Sequence, residues 1–336
     1  MTKRSKLTPA VADVRRLVRE SLTRQGVETN ELVLVACSGG ADSLALAAAL
    51  AFEGPKLGLR IGAVIVDHGI QAETAKVAKD TAAQLGELGF PLVEIVTVEV
   101  GSEGGLEAAA RAARYEAIDE VAAAHDAKFV LLGHTLGDQA ETVLLGLARG
   151  SGARSLSGMA ELTGRYLRPL LTVTRRETVE VCEATDLKFW DDPHNREDRF
   201  SRVRVRELVL PVLEKELGPG IAESLARTAD QLREDADALD QLAENAYQAL
   251  SRSSSNSIEL SIDGLSKLPE AIRYRVIRIA GTALDGHFHR THVLEIDRLL
   301  TNWHGQKPLT VPGVRVERQG EKIVLKSTKT LKPGAC

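Results

Sequence analysis

Apolar and polar positions alternate along this chain in two registers. Over 8–25, Val11, Val14, Leu17, Val18 and Leu22 fall three and four apart, which places them on one face of a helix. Apolar runs at 32–37, 61–67, 93–100 and 129–133 are short and mostly rich in Val and Ile, and they predict strands. Ala-rich helical stretches near 43–53, 73–88, 106–125 and 138–149 follow them in turn. Strands alternating with helices in this way predict an α/β fold built on a doubly wound parallel sheet.

Beyond the last strand the pattern changes. Residues 171–217 are charged and rich in Arg and Asp, and 219–250 read as one long polar helix. Ser251-Arg252-Ser253-Ser254-Ser255-Asn256-Ser257 reads as a linker. The remainder reads as a small α+β module, with a helix over 269–280, strands at 309–311, 314–316 and 323–325, and a turn at 319–321. The expected division is a catalytic domain over 1–217, a helical linker over 218–257 and a small C-terminal domain over 258–330. A length of 336 residues agrees with more than one domain.

Composition narrows the function classes. No apolar run approaches the roughly 20 residues that span a bilayer, and the basic start at Lys3, Arg4 and Lys6 is followed by no signal core. A cytoplasmic protein with no membrane partner is expected. Cys37, Cys182 and Cys336 form no CxxC pair, so neither a disulfide framework nor a zinc or iron–sulfur site is indicated. With a net charge of −4, a nucleic-acid partner requires a local basic surface. The sequence leaves the oligomeric state open, a homodimer included.

The strongest chemical signal is Ser38-Gly39-Gly40-Ala41-Asp42-Ser43, between the first strand and the first helix of the alternating region. Two glycines let the backbone turn sharply and approach a ligand closely. Amides at a helix N-terminus attract anions. Asp42 would repel a bare phosphate, so it suits a bound Mg²⁺ or a helix cap. No Gly-Lys-Ser/Thr ending follows, which excludes a Walker A loop.

Other candidates cluster at strand ends. The second strand runs into Val66-Asp67-His68-Gly69, and the fourth into Gly133-His134-Thr135. In an open parallel sheet, ligands sit outside the carboxyl ends of the strands. Asp138 and Glu141 lie three apart, on one face of a first helical turn. Glu107, Arg111 and Arg114 likewise share a helical face, which is also the pattern of a solvated ion-pair surface. Arg199, Arg202, Arg204 and Arg206 crowd beside Phe200. An extended backbone would aim 202, 204 and 206 to one side, whereas a helix would spread them around its surface. Their functional reading is contact with RNA phosphates. His287, His289 and His292 lack a carboxylate or thiol partner at metal-ligand spacing.

The loop at 38–43 is similar to the pyrophosphate-binding loop of the N-type ATP pyrophosphatases, which carry Ser-Gly-Gly-x-Asp-Ser. The order of motifs closely resembles the tRNA(Ile)-lysidine synthetase family. It runs Val66-Asp67-His68-Gly69, Ala110-Arg111-Ala112-Ala113-Arg114-Tyr115, Gly133-His134, Asp138-Gln139-Ala140-Glu141-Thr142, Arg149-Gly150-Ser151-Gly152, Arg168-Pro169-Leu170-Leu171 and Asp192-Pro193-His194-Asn195. The likeness covers about residues 30–215 and extends more weakly beyond. Val203 stands where the family usually has Asn, and the C-terminal part looks reduced against the family's longer members.

The resemblance implies a PP-loop fold of the adenine nucleotide alpha hydrolase type. It implies that ATP adenylates C2–O of the wobble cytidine in an isoleucine tRNA with a CAU anticodon, and that the ε-amine of free L-lysine then displaces AMP. Ser38, Gly39, Gly40, Ala41, Asp42, Ser43, Asp67, His68 and Gly133 would bind the nucleotide, and Asp42 would hold Mg²⁺. Asp138 and Glu141 would hold the lysine ammonium. Arg111, Arg114 and His134 would meet the lysine carboxylate or the adenylated intermediate. Two other classes fit less well: a sulfur-inserting tRNA 2-thiocytidine synthetase lacks its CxxC pairs here, and a non-catalytic tRNA-binding protein would not need an intact Ser38, Asp42 and Ser43.

Overall fold

The short apolar runs form the centre of a six-stranded sheet in the computed structural model of the chain. The structure describes residues 6–67, 72–98, 106–150, 152–191 and 201–328, with the backbone alone at 72–73 and 106–108. The chain divides into two compact units, Met1–Leu232 and Arg233–Cys336.

In the first unit the parallel strands are β1 (Leu32–Ala36), β2 (Arg60–Asp67), β3 (Leu92–Thr97) and β4 (Ala127–Leu132). A short hairpin, β5 (Leu162–Thr163) and β6 (Tyr166–Leu167), extends the sheet, giving the order β3-β2-β1-β4-β6-β5. Only β5 runs antiparallel to its neighbour. The helices are α1 (Pro9–Arg24), α2 (Ala41–Glu53), α3 (Ala72–Glu87), α4 (Leu106–Ala124), α5 (Leu136–Ala148), α6 (Ala153–Leu156), α7 (Arg175–Ala184), α8 (Ser201–Arg204) and α9 (Leu210–Leu217).

Alternation along each strand divides the core. Val33, Val35, Ile61, Ala63, Ile65, Phe129 and Leu131 face a core that takes in Val14, Val18 and Leu22 of α1 and Leu44 of α2. Leu32, Leu34, Val64, Val130 and Leu132 face the opposite side, against Ile118, Val121 and Ala122 of α4. Both faces of the strands are covered, which explains why they read as nearly continuous apolar runs. Helix α2 is apolar almost all round and correspondingly buried.

Helix α10 (Ile221–Leu250) contains the boundary between the units. The second unit adds β7 (Ser251–Ser253), β8 (Ser257–Ser261), α11 (Ile262–Ser266), α12 (Glu270–Thr282), α13 (Arg290–Thr301), β9 (Leu309–Val311), β10 (Val314–Gln319) and β11 (Lys322–Ser327). Its antiparallel sheet has the order β7-β8-β11-β10-β9. Ile258, Leu260, Val316, Ile323 and Leu325 pack there against Val276 and Ile296.

The serine-rich segment differs from the linker reading. Ser251–Ser253 pairs with β8, and Ser254 N donates to Ser257 O at 2.8 Å to close a tight turn. Small polar side chains carry no strand signal, yet at a sheet edge they need none once the neighbouring strand supplies the hydrogen bonds. The arginines of α12 also differ from one another. Arg273 is buried, its Nε 2.6 Å from Asp297 Oδ1, and Arg275 Nε lies 2.6 Å from Asp240 Oδ1. Arg278 is exposed. Nδ1 of His292 accepts from His289 N at 3.2 Å, which places these two histidines at the start of α13.

Candidate active site

The strand order puts β1 beside β4, although the chain visits β2 and β3 between them. The connections leaving these two neighbours therefore diverge, opening a crevice at their carboxyl ends. Residues 38–43 leave β1 there, and residues 133–141 leave β4.

The first loop is held by its own side chains. Ser43 Oγ donates to Gly40 O at 3.0 Å and accepts from Ser38 N at 3.2 Å, so one hydroxyl braces both ends of the turn. Gly39 has φ +82°, a left-handed conformation, and a Cβ there would lie 2.6 Å from Thr81 Oγ1. Its carbonyl accepts from Trp190 N at 2.9 Å. Gly40 occupies the N-cap of α2 with no side-chain hydrogen bond, so the first-turn amides of Ala41, Asp42 and Ser43 face outward from the helix end. Ser38 is exposed beside them. This arrangement suits a phosphate chain.

Asp42 opens α2 and is engaged from α7. Thr178 Oγ1 donates to its Oδ1 at 2.5 Å, and Arg175 Nη1 lies 3.0 Å from Oδ2. Burial pushes the Asp42 carboxyl up, and Asp138 adds to that, while Thr178 and Arg175 pull it back. Arg175 also reaches Asp191 Oδ1 at 3.3 Å. Cys37 and Cys182 lie behind the loop, both buried. Burial raises both thiols, Cys182 to about 12, so neither is a thiolate at neutral pH.

The second loop touches the first. A Cβ on Gly133 would meet Asp42 C and Ser43 N at 3.0 Å, so only glycine lets the two turns lie backbone to backbone. Asp138 divides its oxygens. Oδ2 accepts from Thr135 N at 2.8 Å and caps α5, while Oδ1 lies 3.3 Å from Arg206 Nη2. Glu141 is fully buried, with Oε1 accepting from Arg206 Nε at 2.6 Å. Its Oε2 and His134 Nδ1 are buried without a hydrogen-bond partner among the described residues. Burial raises the Glu141 carboxyl against the pull of Arg206. Burial also lowers His134 to about 4, opposed by Asp138 and assisted by Arg168, Arg111 and Arg202, so its ring is neutral at pH 7.

The other expected residues lie around this pair of loops. Asp67 is buried at the end of β2, and Thr74 Oγ1 donates to its Oδ1 at 2.7 Å. Arg111 is exposed on α4, 4.9 Å from the Tyr115 ring, with Arg114 exposed one turn on. The basic run is helical, α8 passing into a π-helical turn over Val205–Val209, so its arginines spread: Arg204 is exposed, Arg202 partly so, and Arg206 points to the α5 carboxylates. His68, Arg199 and Asp192-Pro193-His194-Asn195 lie outside the described residues, as does the side chain of Glu107.

Three participants gave no sequence signal of their role. Arg175 and Thr178 sit in a capped helix remote in sequence from Asp42. Arg168 is buried, with Nη1 donating to Ala160 O at 3.0 Å, and its charge bears on His134. Among the described residues, no three His, Cys, Asp or Glu side chains cluster as a metal cage. No helix among them is long and apolar enough to cross a membrane.

Comparison with known proteins gives the family. A family model described as the PP-loop domain matches residues 10–213, and one described as the TilS substrate binding domain matches residues 260–323. The chain is 54% identical over 290 residues to a tRNA(Ile)-lysidine synthase of Leifsonia xyli, covering 86% of this chain and 87% of that one. A counterpart of the same name in Thermobifida fusca is 52% identical over 322 residues, covering 95% and 98%. One from Mycobacterium tuberculosis is 46% identical over 305 residues, covering 90% and 91%. Among solved structures, the U34-tRNA thiolase NcsA from Methanococcus maripaludis aligns with a TM-score of 0.57 at 23% identity, over 67% of this chain and 80% of that one. That is a likeness of fold alone.

Proposed function

The chain belongs to the tRNA(Ile)-lysidine synthase family, and from that premise we propose how its residues divide the reaction. It is an ATP-using ligase acting on an isoleucine tRNA. ATP adenylates the C2 oxygen of the CAU wobble cytidine and releases pyrophosphate. The ε-amine of free L-lysine then attacks C2, and AMP leaves.

The observation that carries this reading is the backbone contact of Gly133 with Asp42 and Ser43, which joins the phosphate loop to the turn bearing His134, Asp138 and Glu141. Amides of residues 39–43 and the α2 dipole bind the phosphates, with the exposed Ser38 hydroxyl as a further donor and the Ser43 hydroxyl bracing the turn. Gly133, by leaving no side chain there, lets its turn close on the nucleotide-binding loop, and Asp67 lines the crevice from β2. Thr178 and Arg175 each engage one Asp42 oxygen, and the lone pairs that remain would hold a Mg²⁺, an ion that takes one or two carboxylates together with substrate phosphates and water. The ion would neutralise phosphate charge during adenylation.

Lysine ligation needs a neutral amine, and a group with pKa near 10.4 is neutral only about four times in ten thousand at pH 7. Asp138 and Glu141 receive the ammonium. Glu141 Oε2, buried and without a hydrogen-bond partner among the described residues, takes its proton, because burial has raised that carboxyl. His134, being neutral, hydrogen-bonds to the activated base without adding charge. Arg111 and Arg114 face the lysine carboxylate from α4. Arg202 and Arg204, with Arg199 and Arg206 of the same basic run, hold RNA phosphates.

The test is to incubate the protein with Mg-ATP, labelled lysine and isoleucine tRNA bearing a CAU anticodon. Lysine-dependent label in the RNA that disappears with Asp42→Ala is expected. Binding of the tRNA without AMP release, or sulfur uptake in place of lysine, would refute the ligase.

A further inference from the structure

Two readings converge on Arg206. It belongs to the basic run proposed to hold RNA, yet its guanidinium sits on both carboxylates proposed to hold lysine. We infer that Arg206 is a placeholder for the substrate ammonium: it fills the Asp138–Glu141 pair until tRNA phosphates draw it away, so that lysine binds only after the RNA. This rests on the assignment of that pair to lysine.

The charge chemistry fits an exchange. Glu141 is fully buried, and a buried carboxylate without a cation is costly. A lysine ammonium replaces the guanidinium charge for charge, so the pair is never left bare. The fit of Arg206 is also incomplete. It spends Nε on Glu141 Oε1 and Nη2 on Asp138 Oδ1, at 2.6 and 3.3 Å, and leaves Glu141 Oε2 buried without a partner among the described residues. An ammonium carries three donors in a compact head and can satisfy that oxygen as well.

The fold gives Arg206 a way out. Its side chain is 39% exposed while Glu141 is wholly covered, so the arginine enters from the solvent side. Arg202, four residues earlier on the same helical run, feels the same site: its charge bears on both Glu141 and His134. Arg206 stands in the π-helical turn Val205–Val209. Return of that turn to α geometry moves the register by one residue, a rotation of about 100° that takes the side chain off α5.

Lysine affinity, measured by calorimetry with a non-hydrolysable ATP analogue present, tests this. For the unaltered protein, affinity should rise at least tenfold when tRNA is added. Arg206→Gln should bind lysine without tRNA at least tenfold more tightly than the unaltered protein, and gain less than twofold from tRNA. Equal or weaker binding by Arg206→Gln would overturn the placeholder and make Arg206 a fixed part of the site. Glu141→Gln tests the assignment beneath it: undiminished lysine binding by that variant with tRNA present would show that the pair is not the lysine site, whatever Arg206 does. A readout independent of any variant is competition by butylguanidine in the protein–tRNA complex. It should displace lysine, because the vacated pair accepts a guanidinium, and failure to compete would also overturn the inference.

Discussion

Thr178 Oγ1 donates to Asp42 Oδ1 across 2.5 Å, linking the first turn of α2 to the body of α7. With Arg175 on the other oxygen, the carboxylate is held against the phosphate loop despite the burial that opposes its charge. Thr178→Val keeps the shape and removes the donor. It should cost about 1–2 kcal/mol in urea unfolding. It should also raise the apparent pKa of the acid limb for pyrophosphate release, because Asp42 then loses one of the groups that hold its pKa down. An unchanged pH profile would detach Asp42 from the adenylation step.

Gly39 is strained for any other residue in two separable ways. Gly39→Ala places a Cβ in the left-handed region, a cost of roughly 1–2 kcal/mol, and also drives it against Thr81 and Val77. Gly89 has φ +96° with open space around it, so Gly89→Ala carries the backbone cost alone. We expect Gly39→Ala to lose more stability than Gly89→Ala and to weaken ATP binding at least tenfold, with Gly89→Ala leaving ATP affinity intact. Comparable ATP affinities in the two variants would remove the loop from nucleotide binding.

His134 gives the fold a pH dependence of known sign. Its pKa is near 4 in the native state and near 6.5 unfolded, so between those values the unfolded chain binds more protons. Stability is therefore complete above about pH 6.5 and declines as pH falls toward 4. Between pH 7 and 5 the loss reaches roughly 2 kcal/mol at most. Chemical denaturation at both pH values should show that loss in the natural protein and a smaller one in His134→Gln. Equal losses would mean that His134 titrates normally.

Arg202 and Arg204 are the arginines of the basic run that the structure leaves more open to a ligand. Replacing either by Ala should weaken tRNA binding and reduce the slope of log K against log salt by about 1. ATP affinity should not change. A slope that stays constant in both variants would place the RNA elsewhere.

Much of the catalytic unit was legible because its signals are local. The short apolar runs at 32–37 and 129–133 announced strands buried on both faces, while the structure decided which core each side chain enters. The glycines at 39 and 40 announced a turn that brings backbone to a ligand, and Asp138 with Glu141 announced one helical face. The serine-rich stretch at 251–257 failed as a signal for the complementary reason: Ser251–Ser253 becomes a strand through its partner β8, not through its own composition.

The sequence by itself determined the strands and helices of the alternating region, their order and the turns at the strand ends, because helix and strand periodicities are properties of the covalent chain. It carried the motifs of the family for the same reason. Tertiary structure alone decided which charges meet. Thr178 lies 136 residues from Asp42, and Arg206 lies 65 residues from Glu141. Side-chain pairing at such separations follows from how strands are ordered and helices laid across them. Only that packing takes water away from Glu141, and only without water does the choice of its partner control what can bind.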